Sequence, residues 1–477
     1  MTRRRQLKFP VGTVSTVQLW VTIAVSVLAP LFFGSVDPFF VSIWTILLSI
    51  SVLCGVASPL NPGQGRLLFV FLALCCVYAA VAAVQITPHL VNRLDDPSWQ
   101  QVRELLGLNV PPRISSRAEI PLVSMGHFLL LVTSLMSGFF IGTSRRNSDI
   151  LLSFVRYSIL LYAIYGLVAL VITPNMLLWA PRLAYHGSLT ATFINHNTAA
   201  TFVGAGAILW FCFAYSSLLS LRFSSIRVLL LERSNESLAF KAIVRSAGAL
   251  ACFFALLLTR SRGGLICTCL GLLAAIMLMT ADGRKQRLWR LAVSSVVALV
   301  IVGELLGRTG RIGSQGLFDD GRWSVYGLCL EAIRQRPLLG AGLGTFADLF
   351  PSLRADDFYS WGVWESAHST ILEIAVEMGL PVAASIAIAA LASLFILARA
   401  AIKSKGRRRR LLAAITGIML LSYLHSTIDF SLQIPGYLVL FGALLGCGLA
   451  RALSASAEAS SVVHAPLAMA LRIPQPD

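Results

Sequence analysis

Residues 67–86 read LLFVFLALCCVYAAVAAVQI, an apolar run whose length decides the fold class of this chain. About 20 mostly apolar residues in a helix are needed to cross the hydrocarbon core of a bilayer. Similar runs recur along the 477 residues, of which 56% are hydrophobic and 13% are charged. A soluble domain averages about 25% charged residues, so lipid must cover much of this surface. The sequence predicts an all-α polytopic membrane protein, since lipid-exposed strands would leave backbone groups unpaired.

The apolar runs predict about 12 transmembrane helices. They span approximately residues 17–33, 38–57, 67–86, 122–142, 151–172, 196–215, 245–259, 264–281, 291–307, 370–398, 411–427 and 436–450. The chain then divides into nine helices (1–307), a large polar loop (308–369), three helices (370–451) and a tail (452–477) expected to be disordered. Gly379-Leu380-Pro381 should kink the tenth helix or end its first turns.

The distribution of charge predicts the orientation of these helices. The formal net charge is +17, and most of the 39 Lys and Arg residues lie on the side of Arg3, Arg4 and Arg5. Most of the 22 acidic residues lie on the other side. Basic residues favour the cytoplasmic side, so both termini are expected in the cytoplasm and the large loop outside it. The basic excess therefore reflects membrane topology, and we expect no nucleic-acid partner.

The cysteines and histidines give no sign of a metal or disulfide framework. Of the nine cysteines, all but Cys329 lie in apolar runs. The sequence contains neither CxxC nor HExxH. We therefore expect no metal site and no cofactor.

The large outer loop carries the first candidate for chemistry. Apolar residues recur at helical spacing over Ser324–Arg336, which predicts a surface helix that Pro337 ends. The loop closes on Trp364-Glu-Ser-Ala-His368, just before the tenth apolar run. A histidine at this boundary can act as a base, because its ordinary pKa of about 6.5 lies near working pH. It can equally be a capping or interfacial residue.

Two arginines occupy the corner between the seventh and eighth apolar runs, in Thr259-Arg260-Ser261-Arg262-Gly-Gly264. Guanidinium groups bind phosphate oxygens in bidentate pairs, so a pyrophosphate is a natural ligand. Charges at membrane depth are often functional. The alternative is that the two side chains simply extend from a helix end towards water.

Two more polar sets lie at the outer ends of predicted helices. Arg182, His186 and His196 precede or begin the sixth helix and could line a sugar-binding surface or cap the helix. His425 and Asp429 stand at the end of the eleventh helix, where a pairing within one turn fits a structural role equally well.

Together these motifs resemble the O-antigen ligase and polymerase superfamily. The ordered series is TRSRGG at the membrane corner, GRW before the surface helix, GAGLGTF, AHSTxLExxxExGLP and HSxxDFxxQxP. The similarity is concentrated between about residues 182 and 436. Members of this family have many membrane helices and a large periplasmic loop between late ones.

The resemblance implies a bacterial inner-membrane glycosyltransferase without a cofactor. It would pass a glycan from an undecaprenyl-pyrophosphate carrier to a hydroxyl of an acceptor glycan or of lipid A core. His368 resembles the histidine proposed as general base, and Ser369 stands where the family often has Asn. Arg260 and Arg262 resemble the arginines that hold the donor pyrophosphate, with Arg322 as a further contact. Arg182 and His196 are the remaining predicted substrate-binding residues, and a chain-length regulator would be a natural partner.

Two alternative functions are open at this point. A metal-dependent lipid-linked glycosyltransferase of another fold would use Asp95 and Asp96 in the first outer loop. A flippase or secondary transporter usually carries ionisable residues near the bilayer midplane, whereas here they collect at helix ends. Within the family, ligase and polymerase differ in acceptor, and the overall resemblance slightly favours a polymerase.

Overall fold

The structure is a computed structural model that describes residues 11–88, 90, 92–220, 233–281, 320–353 and 364–463. The predicted ninth span (291–307) and much of the predicted outer loop lie outside these residues. The described part of the chain is predominantly helical, which confirms the predicted all-α class.

The helices are named in chain order. They are α1 (Val11–Leu28), α2 (Pro38–Gly55), α3 (Pro62–Ile86), α4 (Ser98–Leu106), α5 (Ile120–Gly142), α6 (Arg145–Ile172), α7 (His196–Ser220), α8 (Arg233–Leu258), α9 (Arg262–Met279), α10 (Asp320–Gln335), α11 (Phe346–Leu353), α12 (Thr370–Met378), α13 (Leu380–Lys403), α14 (Gly406–Ser426) and α15 (Pro435–Val463). Between α6 and α7, β1 (Met176–Leu177) and β2 (Ala180–Pro181) pair as a short antiparallel hairpin.

Within the described ranges, nine helices are long and apolar enough to cross a membrane. They are α2, α3, α5, α6, α7, α8, α9, α13 and α15. The first helix has a shorter apolar stretch, Ser15–Leu31, and α14 begins with four consecutive arginines, Arg407–Arg410. The multi-pass architecture is therefore confirmed, whereas the number of about 12 spans stays a prediction.

Two helices form the centre of the bundle. The apolar windows of α7 and α15 are each 94% buried, whereas that of α3 is 6% buried, so α3 lies on the outside of the bundle. Close packing of α5 on α15 depends on glycines: a Cβ atom at Gly138 would overlap the carbonyl of Ala443, and one at Gly446 that of Leu135. Small residues allow such close approach of membrane helices.

The predicted interruption of the tenth span is confirmed as a complete break. Helix α12 ends at Met378, α13 begins at Leu380, and Gly379 between them has φ +83°. Glycine adopts this left-handed backbone at little steric cost. Pro381 occupies the first turn of α13, where its missing N–H is not needed. The membrane-spanning candidate therefore begins at Leu380 rather than at residue 370.

Helices α10, α11 and α12 form a lobe with a hydrophobic cluster of its own, which includes Val325, Cys329, Phe346, Phe350 and Val376. The predicted surface helix is observed here as α10, beginning at Asp320 rather than at Ser324. The lobe packs against the end of α3.

Gln85, in the last turn of α3, fastens this lobe to the membrane helices. Its Nε2 donates to the carbonyls of Leu339 (2.6 Å) and Glu377 (2.7 Å). Its Oε1 accepts from the backbone N–H of Leu343 (3.0 Å). One fully buried amide thus fixes two segments of the lobe at the end of α3.

The end of the last helix differs from the sequence prediction. Helix α15 continues to Val463, so residues 452–463 are helical rather than disordered, and residues 464–477 lie outside the described residues. The extension is rich in alanine, which favours a helix. Gln64 also supports it, because its Nε2 donates to Ala450 O and Ser454 Oγ, each at 3.0 Å.

Candidate functional site

The arginine corner is a tight turn between α8 and α9. Arg260 has φ +59°, a left-handed conformation that is uncommon outside glycine. Ser261 is the N-cap of α9, and its hydroxyl accepts from the N–H of Gly264 at 3.2 Å. Arg260 and Arg262 flank this capping serine and are both exposed. Two guanidinium groups therefore lie beside the positive end of a helix, which favours an anion.

The segment before α7 lies against this corner. Nδ1 of His196 is 2.7 Å from the carbonyl oxygen of Thr259, and its ring stacks on Tyr185 with centroids 4.4 Å apart. A Cβ atom at Gly187 would lie 3.6 Å from Nη1 of Arg260. The predicted residue His196 is thus next to the arginine corner, with an aromatic side chain beside it.

Arg182 has a different place from the other predicted binding residues. Its side chain is buried, and Nη1 donates to the carbonyls of Ser188 (2.7 Å) and Tyr185 (3.4 Å). These bonds hold the turn that carries Tyr185 and Gly187. Arg182 therefore positions this segment instead of standing in an exposed cationic surface.

A buried polar chain lies directly beneath the corner. The hydroxyl of Ser261 donates to Oδ1 of Asn197 (2.7 Å), and Nδ2 of Asn197 donates to Oδ1 of Asp429 (3.0 Å). The other carboxylate oxygen of Asp429 accepts from Ser431 Oγ at 2.6 Å. Asp429 is 1% exposed, and a buried charge needs such paired donors. This chain joins α9, α7 and the segment after α14.

His425 completes this buried set. Its Nδ1 lies 2.6 Å from the hydroxyl of Thr201 and 3.4 Å from that of Ser431. Its Nε2 points towards the corner, because a Cβ atom at Gly263 would lie 3.3 Å from it. His425 and Asp429 therefore do not pair directly; the hydroxyl of Ser431 lies between them.

Arg322 reaches the same segment from the outer lobe. Its Nη1 donates to the carbonyl oxygen of Ile428 at 3.1 Å. Ile428 also lies against the arginine corner, where a Cβ atom at Gly263 would be 2.9 Å from Ile428 Cδ1. The segment after α14 therefore touches both the corner and α10.

His368 lies on the other side of this segment. Its ring packs edge-on against Phe430, with centroids 5.0 Å apart, and against Trp364 at 5.2 Å. Its backbone has φ +51°, and its carbonyl oxygen accepts from the hydroxyl of Tyr326 at 3.1 Å. A left-handed histidine is a strained conformation that its surroundings must hold.

Two carboxyl groups on α12 accept from backbone N–H groups, one beside His368 and one at the start of α11. Oε2 of Glu373 accepts from the N–H of Ala367 at 2.8 Å, and Oε1 of Glu377 accepts from the N–H of Phe346 at 3.0 Å. Burial raises the pKa of both carboxyls, and for Glu377 the nearby Glu373 raises the pKa further. Glu373 thus fixes the peptide group between Ser366 and Ala367, one residue before His368. The neighbouring Ser369 is buried, and its hydroxyl has no hydrogen-bond partner among the described residues.

Of the acidic pair of the metal-dependent alternative, Asp96 has structural partners, whereas Oδ1 of Asp95 is buried without a hydrogen-bond partner among the described residues. Oδ2 of Asp96 forms an ion pair with Nη2 of Arg336 at 2.9 Å, and Oδ1 accepts from the N–H of Ser98 at 2.9 Å. Across the described ranges, no group of three or more His, Cys, Asp or Glu side chains is arranged to hold a metal ion. Asp96 therefore joins the first outer loop to the end of α10.

The geometry brings together most of the predicted residues and adds others. The segment after α14 lies against Gly263, next to Arg262, and accepts from Arg322. His196 contacts the corner that carries Arg260 and Arg262. His368 packs against Phe430 of the same segment. Sequence reasoning included Asn197 only as one of the polar residues before the sixth helix, which could bind sugar or cap the helix, and left the role of Asp429 open. The available signal was their position, since each lies in a polar motif at the outer end of an apolar run.

Comparison with protein families finds a match within the chain. Residues 247–387 match the O-antigen ligase family, a stretch that includes Arg260, Arg262, Arg322 and His368. This match supports the predicted relationship to the O-antigen ligase and polymerase superfamily. No curated protein matches the chain.

The matched domain indicates the general function. The matched domain and the apolar helices together indicate a multi-pass inner-membrane enzyme of surface polysaccharide biosynthesis, of the glycosyltransferase type. The O-antigen ligase family acts on lipid-linked glycans and lipid A core acceptors. His196, Asn197 and His425 lie outside the matched stretch, yet they contact its arginine corner, and Asp429 is linked to the corner through Asn197.

Proposed function

We propose that the protein transfers a glycan from an undecaprenyl-pyrophosphate carrier to an acceptor hydroxyl on the periplasmic side of the membrane. One observation carries this proposal: the segment after α14 touches both the arginine corner and His368. Ile428 lies against Gly263 and accepts from Arg322, while Phe430 packs on His368. A donor phosphate site and a base can therefore serve one reaction.

In this proposal, Arg260 and Arg262 bind the donor pyrophosphate, with Arg322 as a further contact. Both corner arginines are exposed beside the N-terminus of α9, where backbone N–H groups also favour an anion. Neutralising the pyrophosphate makes it a better leaving group, and preorganised cations can supply this without a metal. The buried chain from Ser261 to Asp429 holds the corner in shape.

His368 is proposed as the general base. The acceptor oxygen attacks the anomeric carbon and forms the new glycosidic bond, and His368 takes the hydroxyl proton. The bond from that carbon to the pyrophosphate oxygen breaks, and its electron pair leaves with undecaprenyl pyrophosphate. Such proton transfer contributes typically about 10²–10⁴-fold to rate. The contacts of His368 with Phe430, Trp364 and Tyr326 support its role, since they orient the ring and its backbone.

The segment from Arg182 to His196 is proposed to bind the sugar part of a substrate. Tyr185 is partly exposed and stacks on His196 beside the corner, and aromatic faces with nearby polar groups suit a sugar ring. Arg182 acts through the turn that it holds.

We propose a second carrier-linked glycan as acceptor, which makes the enzyme a polymerase, and a chain-length regulator would then be its partner. Lipid A core as acceptor would make it a ligase. Both acceptors present a hydroxyl to His368, so the chemistry described above is common to both.

The test is transfer by the purified full-length protein in lipid vesicles. The vesicles contain undecaprenyl-pyrophosphate-linked glycan, with either the same donor or lipid A core as acceptor. We expect longer glycans and release of undecaprenyl pyrophosphate. Movement of intact donor between leaflets without any new glycosidic bond would instead identify a flippase and overturn the proposal.

A further inference from the structure

Three guanidinium groups surround the ring of Phe213 at the end of the bundle opposite the arginine corner. Their Cζ atoms lie 4.3 Å (Arg156), 4.6 Å (Arg410) and 5.7 Å (Arg245) from the ring centroid. They come from α6, α14 and α8, and Phe213 comes from α7. This Phe213 cluster brings three positive charges from three helices onto one aromatic side chain.

Arg156 is the buried member of the cluster. It is 5% exposed and also lies over the rings of Trp210 (4.6 Å) and Tyr157 (4.9 Å). Within the described structure, its Nε and Nη1 have no hydrogen-bond partner, and neither has Nε of Arg410. Ring contacts attract a cation but leave most N–H donors unused, and unpaired buried donors are costly. These N–H groups therefore lack an acceptor among the described residues.

The described surroundings supply hydroxyl groups rather than compensating negative charge. Arg245 donates to Ser217, and Arg410 donates to Ser216. Asp149 attracts Arg410 electrostatically without an ion pair between them, and its carboxylate is already paired with Arg407 at 3.0 Å. Beside it, Arg145 and Arg146 line an open cleft of about 570 Å³ together with Asp149 and Arg407. The described side chains around the cluster thus carry excess positive charge.

We propose that the Phe213 cluster is a binding site for the phosphate of an anionic lipid headgroup. Guanidinium groups bind phosphate oxygens in bidentate pairs, and three of them converge here from different helices. Basic pockets between membrane helices are suited to such headgroups. A soluble phosphate would offer the same oxygens, so the experiment must separate the two sources.

The surroundings favour a lipid over a soluble anion. Arg156 lies about three helical turns inside α6, a helix long and apolar enough to cross the membrane. On the same helix, Phe154 is 42% exposed and Tyr157 is 48% exposed, as expected of side chains that meet acyl chains. The neighbouring cleft provides room for the rest of a headgroup.

The experiment measures lipid binding to the purified, delipidated full-length protein by native mass spectrometry. The ligands are phosphatidylglycerol, zwitterionic phosphatidylcholine with the same acyl chains, and inorganic phosphate. The variants are Arg245→Gln and Arg410→Gln, which replace the two half-exposed members of the cluster. Arg399→Gln on α13 is the matched control, because it removes an exposed arginine that lies outside the cluster.

We expect phosphatidylglycerol to bind the wild type and to bind each cluster variant at least about tenfold more weakly, since each loses charge-assisted hydrogen bonds. The Arg399→Gln control should stay close to the wild type. Phosphatidylglycerol should also raise the Tm of the wild type more than that of Arg410→Gln. This difference distinguishes a ligand site from a structural cluster, whose loss would lower Tm without changing the response to lipid.

Three outcomes would overturn the proposal. Equal binding of phosphatidylglycerol by the wild type and both cluster variants would remove the site. Equal binding of phosphatidylcholine would show that negative charge is not recognised. Binding of inorganic phosphate alone, with the same dependence on Arg245 and Arg410, would assign the cluster to a soluble anion instead.

Discussion

The imidazole of His368 packs against the ring of Phe430, with centroids 5.0 Å apart at an angle of 63°. Phe430 follows Asp429, whose carboxylate is bonded to Asn197 and through it to Ser261 at the arginine corner. The candidate base and the candidate phosphate site are thus attached to one short segment. A change in that segment should disturb both.

Replacing Arg262 by lysine tests the pyrophosphate site. Lysine keeps the charge but cannot make the bidentate contact, so we expect donor affinity to fall by about tenfold or more. The measurement is the binding of undecaprenyl-pyrophosphate-linked glycan to the purified protein. Arg399→Lys, at an exposed arginine on α13, is the control and should bind the donor normally. Unchanged donor affinity in Arg262→Lys would remove this arginine from the site.

The hydrogen bond between Asn197 and Asp429 can be tested by exchanging the two residues. Asp429→Asn alone places an amide where Nδ2 of Asn197 and Ser431 Oγ both need an acceptor. We expect it to lower the free energy of unfolding by about 1–3 kcal/mol and to reduce transfer. The double variant Asn197→Asp with Asp429→Asn restores a donor facing an acceptor, so part of both losses should return. Additive losses in the double variant would contradict the direct contact.

The buried carboxyls of α12 predict a pH dependence of stability. Burial raises the pKa of Glu373 and Glu377 above the ordinary value of 4.5. The folded protein then binds more protons than the unfolded chain, so stability should fall as pH rises from about 5 to about 8. Each such proton contributes up to about 1.4 kcal/mol per pH unit.

Glu377→Gln keeps the acceptor for the N–H of Phe346 and removes the titration. Its Tm should therefore change less between about pH 5 and pH 8 than that of the wild type. Glu104→Gln, at an exposed position in α4, should keep the wild-type slope. If Glu377→Gln and the wild type show the same slope, the carboxyl of Glu377 does not titrate in this range.

Chelation distinguishes this mechanism from a metal-dependent one. The donor pyrophosphate is neutralised by arginines in our proposal, so EDTA should leave transfer unchanged. Asp96→Asn should lower stability by about 1 kcal/mol, because it weakens a partly buried ion pair with Arg336, while transfer per folded molecule stays near the wild-type rate. Loss of transfer with EDTA, restored by a divalent cation, would favour the alternative that uses Asp95 and Asp96.

The sequence predicts the features that depend on local pattern. Runs such as residues 67–86 are long and apolar, and α3 is observed there with a 6% buried window. The spacing of apolar residues after Ser324 predicts α10, and the Gly379-Leu380-Pro381 step predicts the break before α13. The corner at Arg260 and Arg262 follows from two apolar runs meeting at polar residues.

Features that depend on contacts between residues far apart in the chain cannot be predicted from local sequence patterns. Asn197 and Asp429 are bonded across a separation of 232 residues, and nothing in either local motif specifies the partner. Arg182 is polar like the other candidates, yet folding turns it inward to the carbonyl of Ser188. The helical extension of α15 also depends on a remote side chain, Gln64, which bonds to Ala450 and Ser454.

The most direct test of the central claim is glycan analysis of a deletion strain complemented with the wild type, His368→Ala or the control His464→Ala. We predict that the wild type and the control restore long chains, whereas His368→Ala is inserted in the membrane but leaves single repeat units. Long chains stranded on undecaprenyl pyrophosphate would indicate a ligase with the same base. Long, normally attached chains in the His368→Ala strain would contradict the claim that His368 is the general base.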